Sequence, residues 1–520
     1  MSDQTLAVKT IKNSILNIAS FVFGLLINFY LLRYVVKQIG IESYGISALL
    51  LVIIAPLNLT NLGFGEATTK YVAENVHQGN FIKAGAYIRT TFFMNLTIGI
   101  LGFLLVFFFG GQIVMKAFHE QINIELTHTI NNCMRAIAFG WLFNQCSATF
   151  MGVPVALQQF KKVALGNLVS IIATGLFTYL LLNQQWGLLG FTIATVSSQF
   201  VMLLFWYFIA RFSMPNISLT PKIDRAAWKT SFNYGGWQTV AQVGGILAQQ
   251  AEKYVMGVIL NTASVGIYNV VVNIQQKIYM LVHKLSEVLF PLFSSISNDT
   301  EERKANILVK STWITTSVAV TLLVSVIPFA HPLILLWMKN ESIANQGEGV
   351  LQTICIAGAF GSATTAGYFF LLGIGKTQKI TYIAILTGLV TVVASLVVLP
   401  IFGLKGAGWS ALLASMVQSI AITRVMHTAL KNVVPFSAIL TAIFGPILTG
   451  TIVAFSVYHF FSIGFTNWLS LGIGYFIMLF VTAVSILFIT RLLPHGKEHE
   501  ELLKKLYIHT KNKLQLRFIK

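Results

Sequence analysis

Charge is what this chain has least of. Only 10% of its 520 residues are Asp, Glu, Lys or Arg, against roughly 25% in a soluble globular domain. With 55% hydrophobic residues and a mean hydropathy of +0.74, the chain belongs to the membrane class. Cysteine is scarce as well. Cys133, Cys146 and Cys355 all fall inside apolar segments, so they read as small buried residues and not as a disulfide framework or a thiolate metal cluster. The sequence carries no glycine-rich phosphate loop, no metal-ligand cluster and no paired catalytic carboxylates, which argues against nucleotide hydrolysis and bond chemistry. His119 and His331 sit near span ends and suggest no ligand set. A cleavable signal peptide is not evident: the apolar run Ile15 to Val36 is too long for one and reads as the first span.

What is present is a series of apolar runs of about 20 residues, the length of a membrane-spanning helix and about twice that of a barrel strand. Hydropathy gives about 14 spans, roughly 14–36, 45–65, 88–110, 130–154, 167–183, 188–210, 233–256, 265–292, 312–337, 349–372, 380–400, 406–426, 437–461 and 468–491. With the N-terminus placed in the cytoplasm, about 26 of the 35 Lys and Arg fall in cytoplasmic loops and about 5 outside. A missed or spurious span would scramble that alternation, so its regularity supports both the count and an orientation with both termini inside. The net charge of +18 therefore follows the membrane and not a nucleic acid. The basic tail from Glu498 to Lys520 reads as an ordinary cytoplasmic tail or as an amphipathic helix on an anionic leaflet.

The two halves echo each other at an offset near ~220 residues. Tyr34-Val35-Val36 followed by Tyr44-Gly45-Ile46 matches Tyr254-Val255-Met256 followed by Val265-Gly266-Ile267. Gly187-Leu188-Leu189-Gly190 matches Gly403-Leu404-Lys405-Gly406, and Lys161 matches Lys376. The expectation is an all-α polytopic membrane protein of about 14 helices, with two six-helix lobes in pseudo-twofold repeat around a central cavity and a C-terminal helix pair. The boundaries follow: an N-terminal lobe over 1–230, a C-terminal lobe over 231–430, the last pair over 431–491 and the tail over 492–520.

The stretch from Ser231 to Ile296 is long enough for two spans yet keeps Glu252, Lys253, Lys277, His283, Lys284 and Glu287. Ionisable groups at membrane depth are costly, so such a pair is expected to line a polar cavity. Lys277 and Lys284 are seven apart and share a helix face with Asn273. The competing reading is an internal salt bridge to Glu287 or Glu252. Arg33 and Arg135 lie about one turn from the outer surface, where a snorkelling role competes with a luminal one. Taken together, Arg33, Arg135, Lys277 and Lys284 outweigh Glu252 and Glu287 at membrane depth, with Glu66 at an inner end. A cavity biased positive suits a phosphate and repels an organic cation. Glu252, Lys253 and Glu287 are candidate charge partners or coupling groups. Gly24, Gly235, Gly236, Gly244, Gly245, Pro56, Pro291, Pro328 and Pro332 are candidate flexible points, though packing explains any one of them equally well.

At this point several stretches resemble one family. IGIESYGISAL with NLGFGEATTKYVAE, then AEKYVMGVILNTASVGIYNVVVNI, EVLFPLFSSIS, PLILLWMKN, LLGIGKTQKI and GLKGAGWSALLAS are similar to segments of polysaccharide-type lipid flippases. These belong to the superfamily that also holds the drug-extruding MATE transporters and the lipid II flippases. Where that family often has Asp at its central acid, this chain has Glu252. The resemblance implies translocation of an undecaprenyl-diphosphate-linked oligosaccharide across a bacterial inner membrane, for an O-antigen, capsule or exopolysaccharide pathway. It implies no enzyme activity. No cofactor is expected, and an H+ or Na+ gradient is one candidate energy source beside the membrane potential and downstream consumption of product. The resemblance also admits polysaccharide polymerase and chain-length proteins as partners, and no nucleic acid. Trp237, Gln238, Gln242, Gln249 and Gln250 could contact sugars, with Trp237 equally suited to an interfacial anchor. Two rivals stay open: a MATE-like cation-coupled drug exporter, and a membrane scaffold for polysaccharide assembly.

Overall fold

The computed structural model describes residues 3–57, 64–118, 126–431, 433–460, 465 and 467–490, with side chains described over 23–489 outside 233–244 and 247–249. Among the described residues every regular element is helical. In hydrocarbon each backbone donor and acceptor must find its partner within the segment, and a helix does that. The N-terminal half runs α1 (Asp3–Ile54), α2 (Phe64–His77), α3 (Phe81–Phe118), α4 (Thr127–Ala156), α5 (Phe160–Asn183) and α6 (Gly187–Ser213). Next come α7 (Arg225–Ile259), α8 (Thr262–Ser286), the short α9 (Leu289–Ser295), α10 (Glu301–Leu323) and α11 (Ala330–Met338). The chain continues through α12 (Glu341–Ala363), α13 (Thr365–Gly373), α14 (Thr377–Phe402), α15 (Leu404–Ala429), α16 (Phe436–Phe460) and α17 (Trp468–Thr490). Among the described residues, ten helical stretches are both long and apolar enough to cross a membrane. α4, α7 and α8 are also long enough to cross but are not among the ten. α4 and α8 are interrupted by Asn, Gln, Arg and Lys.

The first two expected spans lie on either side of a break within α1: at Gly40 the backbone leaves the helical region, with φ of 81° and ψ of 161°, angles that suit a residue without Cβ. Between α10 and α11 the helix tightens into a 3-10 segment, Val324–Phe329, that contains Pro328. Proline removes a backbone donor and crowds the preceding turn.

The repeat is visible in the elements themselves. α5 and α6 begin at residues 160 and 187; α14 and α15 begin at 377 and 404, each 217 later. α3 spans 81–118, and α10 to α11 span 301–338, an offset of 220. Even the turns recur: Gly187 and Gly403 are both left-handed, at φ 54° and 56°. A packing contact carries the same signature. A Cβ on Gly45 would lie 1.8 Å from the Thr262 carbonyl oxygen, and one on Gly266 would lie 2.3 Å from that of Ile41. Thr262 is Ile41 plus 221, and Gly266 is Gly45 plus 221, so the contact is reciprocal. Equivalent residues meet each other's backbones, and both glycines are there because no side chain fits.

The chain divides into two compact units. One comprises Met1–Ile246 with Gly257–Gly266, the other Leu247–Met256 with Ile267–Lys520. In the first unit, Val72, Ile88, Phe150, Val153 and Trp206 form a core shared by α2, α3, α4 and α6. In the second, Phe293, Trp313, Phe370, Ile422 and Met426 form one cluster. Val320, Ile327, Phe360, Ile443 and Met478 form another, which ties α16 and α17 to α10 and α12.

Candidate functional site

α8 has two chemically distinct sides. On one, Gln275, Tyr279 and His283 recur every four residues and face α12. Close approach there depends on Gly358, where a Cβ would lie 2.3 Å from the Gln275 amide nitrogen; at Gly361 a Cβ would make an ordinary contact with the Tyr279 ring at 3.6 Å. His283 continues this side, its ring 5.4 Å from that of Phe369. The other side carries Lys277, Met280, Leu281, Lys284, Leu285 and Val288, all exposed except the half-buried Lys277. Lys277 and Lys284 thus share one side of the helix with exposed apolar residues between them.

The two lysines on it differ. Lys284 Nζ lies 2.5 Å from Glu287 Oε1, and His283 Nδ1 is 4.0 Å from the same oxygen. Glu287 is therefore committed to the end of the helix. Lys277 lies almost two turns further in. Among the described residues it has neither hydrogen bond nor ion pair, so neither salt bridge considered for it is formed there. Asn273, one turn before, turns its amide to the Asn269 carbonyl at 2.8 Å and leaves Lys277 alone on that face. An ammonium in an apolar stretch with no counter-charge is the arrangement that an anion completes.

Glu252 occupies a different environment. It is buried, 6% exposed, and accepts a hydrogen bond from the hydroxyl of Tyr268, itself 4% exposed. Lys253 beside it is half-buried. Tyr268 was not among the residues singled out from sequence. Its only signal was its place in the Val-Gly-x-Tyr motif, since the pairing spans the turn between α7 and α8.

In the first unit Arg33 and Arg135 are not brought together. Arg135 is exposed on α4 with its guanidinium 5.7 Å from the Phe107 ring centroid, a cation–π contact with α3. Arg33 is half-buried on α1, next to Tyr34, whose ring tilts against Tyr179 at 5.7 Å. Arg33 has no hydrogen bond or ion pair among the described residues. Glu66 lies in the first turn of α2. The side chains of Trp237, Gln238, Gln242 and Gln249 lie outside the described residues, as do His119 and the tail over 492–520; Gln250 is half-buried.

Sequence reasoning passed over one polar seam. Gln145 on α4 is fully buried, and both its amide atoms lack a partner. Beside it the Asn95 amide donates to Thr149 Oγ1 at 2.8 Å. The three cysteines are free and buried. Among the described residues no group of His, Cys, Asp or Glu could hold a metal ion. The groups that stand out are cations and a buried carboxylate, which is equipment for binding and moving charged matter.

The fold has counterparts among solved structures. The fold matches that of a lipid II flippase, MurJ, in an inward closed conformation, with a TM-score of 0.72 at 16% identity, covering 93% of this chain and 98% of that one. It also matches an inward-facing multidrug resistance MATE transporter, with a TM-score of 0.65 at 17% identity over 81% and 99% of the two chains. A third match is a transporter from Pyrococcus furiosus, described as having a binding pocket of reverse polarity, with a TM-score of 0.60 at 13% identity over 81% and 94%. The architecture of this chain is therefore the fold that these solved structures share. Within it, residues 37–341 match the polysaccharide biosynthesis protein family, and the chain belongs to that family. A curated relative, the uncharacterized membrane protein EpsK of Bacillus subtilis (strain 168), is 21% identical over 292 residues. That match spans 54% of this chain and 55% of the relative, so the chain covers about half the length of the relative it matches.

Proposed function

We propose that this protein is a flippase that carries an undecaprenyl-diphosphate-linked oligosaccharide from the cytoplasmic to the periplasmic leaflet of a bacterial inner membrane by alternating access. The distribution of Lys and Arg supports an orientation with both termini in the cytoplasm. The observation that carries the reading is Lys277: a half-buried ammonium, uncompensated among the described residues, on a helix of a polysaccharide biosynthesis protein. The diphosphate supplies the missing charge. Lys284 offers a second, weaker contact because Glu287 already holds it, and Arg33 and Arg135 are further candidates in the first unit. The lipid tail stays in hydrocarbon, so only the headgroup needs a polar route. Glu252 with Tyr268 is the candidate coupling element for H+ or Na+. An O-antigen, a capsule and an exopolysaccharide repeat unit all fit this chemistry, and polymerase and chain-length proteins would receive the product.

The test is reconstitution in liposomes with a fluorescent undecaprenyl-diphosphate oligosaccharide, followed between leaflets. Lys277→Ala is expected to slow transfer about tenfold or more, the equivalent of one charge-assisted contact, with Lys277→Arg keeping most of the rate. Wild-type rates in Lys277→Ala would remove this residue from the site. The buried Glu252 favours one alternative, a cation-coupled exporter. Movement of a cationic dye with none of the lipid, abolished in Glu252→Gln, would put that reading first.

A further inference from the structure

A second cavity lies in the second unit, away from α8. It is a groove of about 530 Å³ between α12, α15 and α16. Its floor is apolar and is closed by Phe360 and Phe444, whose rings meet edge to face at 5.2 Å. From Gln352 at its mouth to Phe360 at its floor is eight residues along α12, about 12 Å of helix. One leaflet's hydrocarbon is half of a core about 30 Å thick. The groove is therefore about as deep as a leaflet. Its sides open onto Trp409, Leu448 and Phe455, which are 47%, 58% and 38% exposed and present apolar surface to the bilayer.

The mouth is polar, and its polar groups are incompletely used. Lys405 lays its stem over Gly349, with Cε 3.5 Å from where a Cβ there would sit, and forms no ion pair among the described residues. Gln352 is 9% exposed; its amide nitrogen lies near the Tyr458 hydroxyl but makes no hydrogen bond of normal geometry. Among the described residues the buried hydroxyl of Thr451 has no partner either. Beside these groups stands one carboxylate, on the same face of α12 as Gln352. Glu348 accepts from Tyr458 at 2.9 Å through Oε1, which leaves its second oxygen for another donor. The mouth thus offers a cation, neutral donors and an anion above a slot one acyl chain deep.

We propose that this groove is a binding site for one molecule of an aminophospholipid, phosphatidylethanolamine. One acyl chain fills the slot down to Phe360 and Phe444. The phosphate is held by Lys405 with the Gln352 amide and the Thr451 hydroxyl, and the primary ammonium donates to Glu348. The charge pattern selects this headgroup. An anionic phosphatidylglycerol would bring its net negative charge to the Glu348 carboxylate with only neutral hydroxyls to offer and no cation. A phosphatidylcholine carries a quaternary ammonium that cannot donate a hydrogen bond. A polyprenyl diphosphate carries more negative charge than one lysine balances, on a chain that overruns the groove. The site is separate from Lys277 and stands whatever the protein transports.

The test uses the full-length protein, stripped of loosely held lipid in neutral detergent. It is then offered equimolar phosphatidylethanolamine, phosphatidylglycerol, phosphatidylcholine and undecaprenyl diphosphate, and bound lipid is counted by native mass spectrometry. Wild type is expected to keep one phosphatidylethanolamine in preference to the others. Lys405→Ala should lower its retention about tenfold, the loss of one charge-assisted hydrogen bond, while Lys405→Arg should keep it. Glu348→Gln should abolish the preference over phosphatidylglycerol without abolishing binding. Leu412→Trp, which fills the slot and leaves the headgroup residues in place, should exclude the lipid while the protein stays monodisperse. Preference for any of the other three lipids, retention of none by wild type, or equal retention in Lys405→Ala and wild type would overturn the proposal.

Discussion

The reciprocal glycine contact gives the sharpest quantitative expectation. Gly45→Ala places a methyl 1.8 Å from the Thr262 carbonyl oxygen, 2.7 Å from its carbon and 3.0 Å from the Gly266 nitrogen. All three are backbone atoms, so no rotamer change relieves the clash and the two segments must separate. Overpacking of this kind costs about 1–3 kcal/mol, and a rigid backbone neighbour puts Gly45→Ala toward the upper end. Gly266→Ala meets the Ile41 carbonyl at 2.3 Å and should cost somewhat less. The double variant is the informative one. Once the first methyl has pushed the segments apart the second finds room, so the combined loss should fall short of the sum of the two. Gly245→Ala, where no described residue lies within 4 Å of the added methyl, is the control and should be neutral or slightly stabilising. The assay is thermal inactivation of the detergent-purified protein, read as the monodisperse fraction remaining on size exclusion. A Gly45→Ala variant as heat-resistant as wild type, or full additivity in the double variant, would refute the argument from reciprocal packing.

Three further outcomes follow. Tyr268→Phe removes the hydrogen bond to buried Glu252 and should destabilise by about 1–3 kcal/mol, whereas Glu252→Gln keeps an acceptor and should cost less; thermal inactivation ranks the two. Gln145→Leu replaces a buried amide with two unpartnered atoms by an apolar side chain of similar size, so stability should hold or rise by about 1 kcal/mol; a loss in the same assay would mean that the amide binds something in the seam between α3 and α4. In the flipping assay, Lys284→Ala should slow transfer less than Lys277→Ala, because Glu287 already compensates Lys284; the reverse order would move the site toward the end of α8.

Much of the fold was legible because lipid imposes a simple rule: runs of about 20 apolar residues become helices. The repeat was legible for a related reason. A glycine required by close backbone approach leaves its mark in sequence, and Gly45 and Gly266 stand in the very motifs whose echo gave an offset near ~220. The Lys284–Glu287 pair could be read too, since three residues on a helix fix proximity. Other features were not legible. The backbone angles of the break at Gly40, which falls between two expected spans, are one of them, because hydropathy reports burial in lipid and not backbone angle. The Tyr268–Glu252 bond is sixteen residues long in sequence and depends on how two helices leave a turn.

The sequence by itself determined the membrane class, the helical architecture, the duplicated plan and the short list of charges, because each is a property of composition, period or spacing along one chain. Only the tertiary structure decided what those charges face. It paired Lys284, left Lys277 uncompensated among the described residues, laid Arg135 on Phe107 and buried Glu252 against Tyr268. It also assembled the groove at Lys405 from three helices whose contributing residues lie about a hundred positions apart. The physical reason is common to all of these. A charge costs or stabilises according to its neighbours in space, and in a helical membrane protein those neighbours come from other helices.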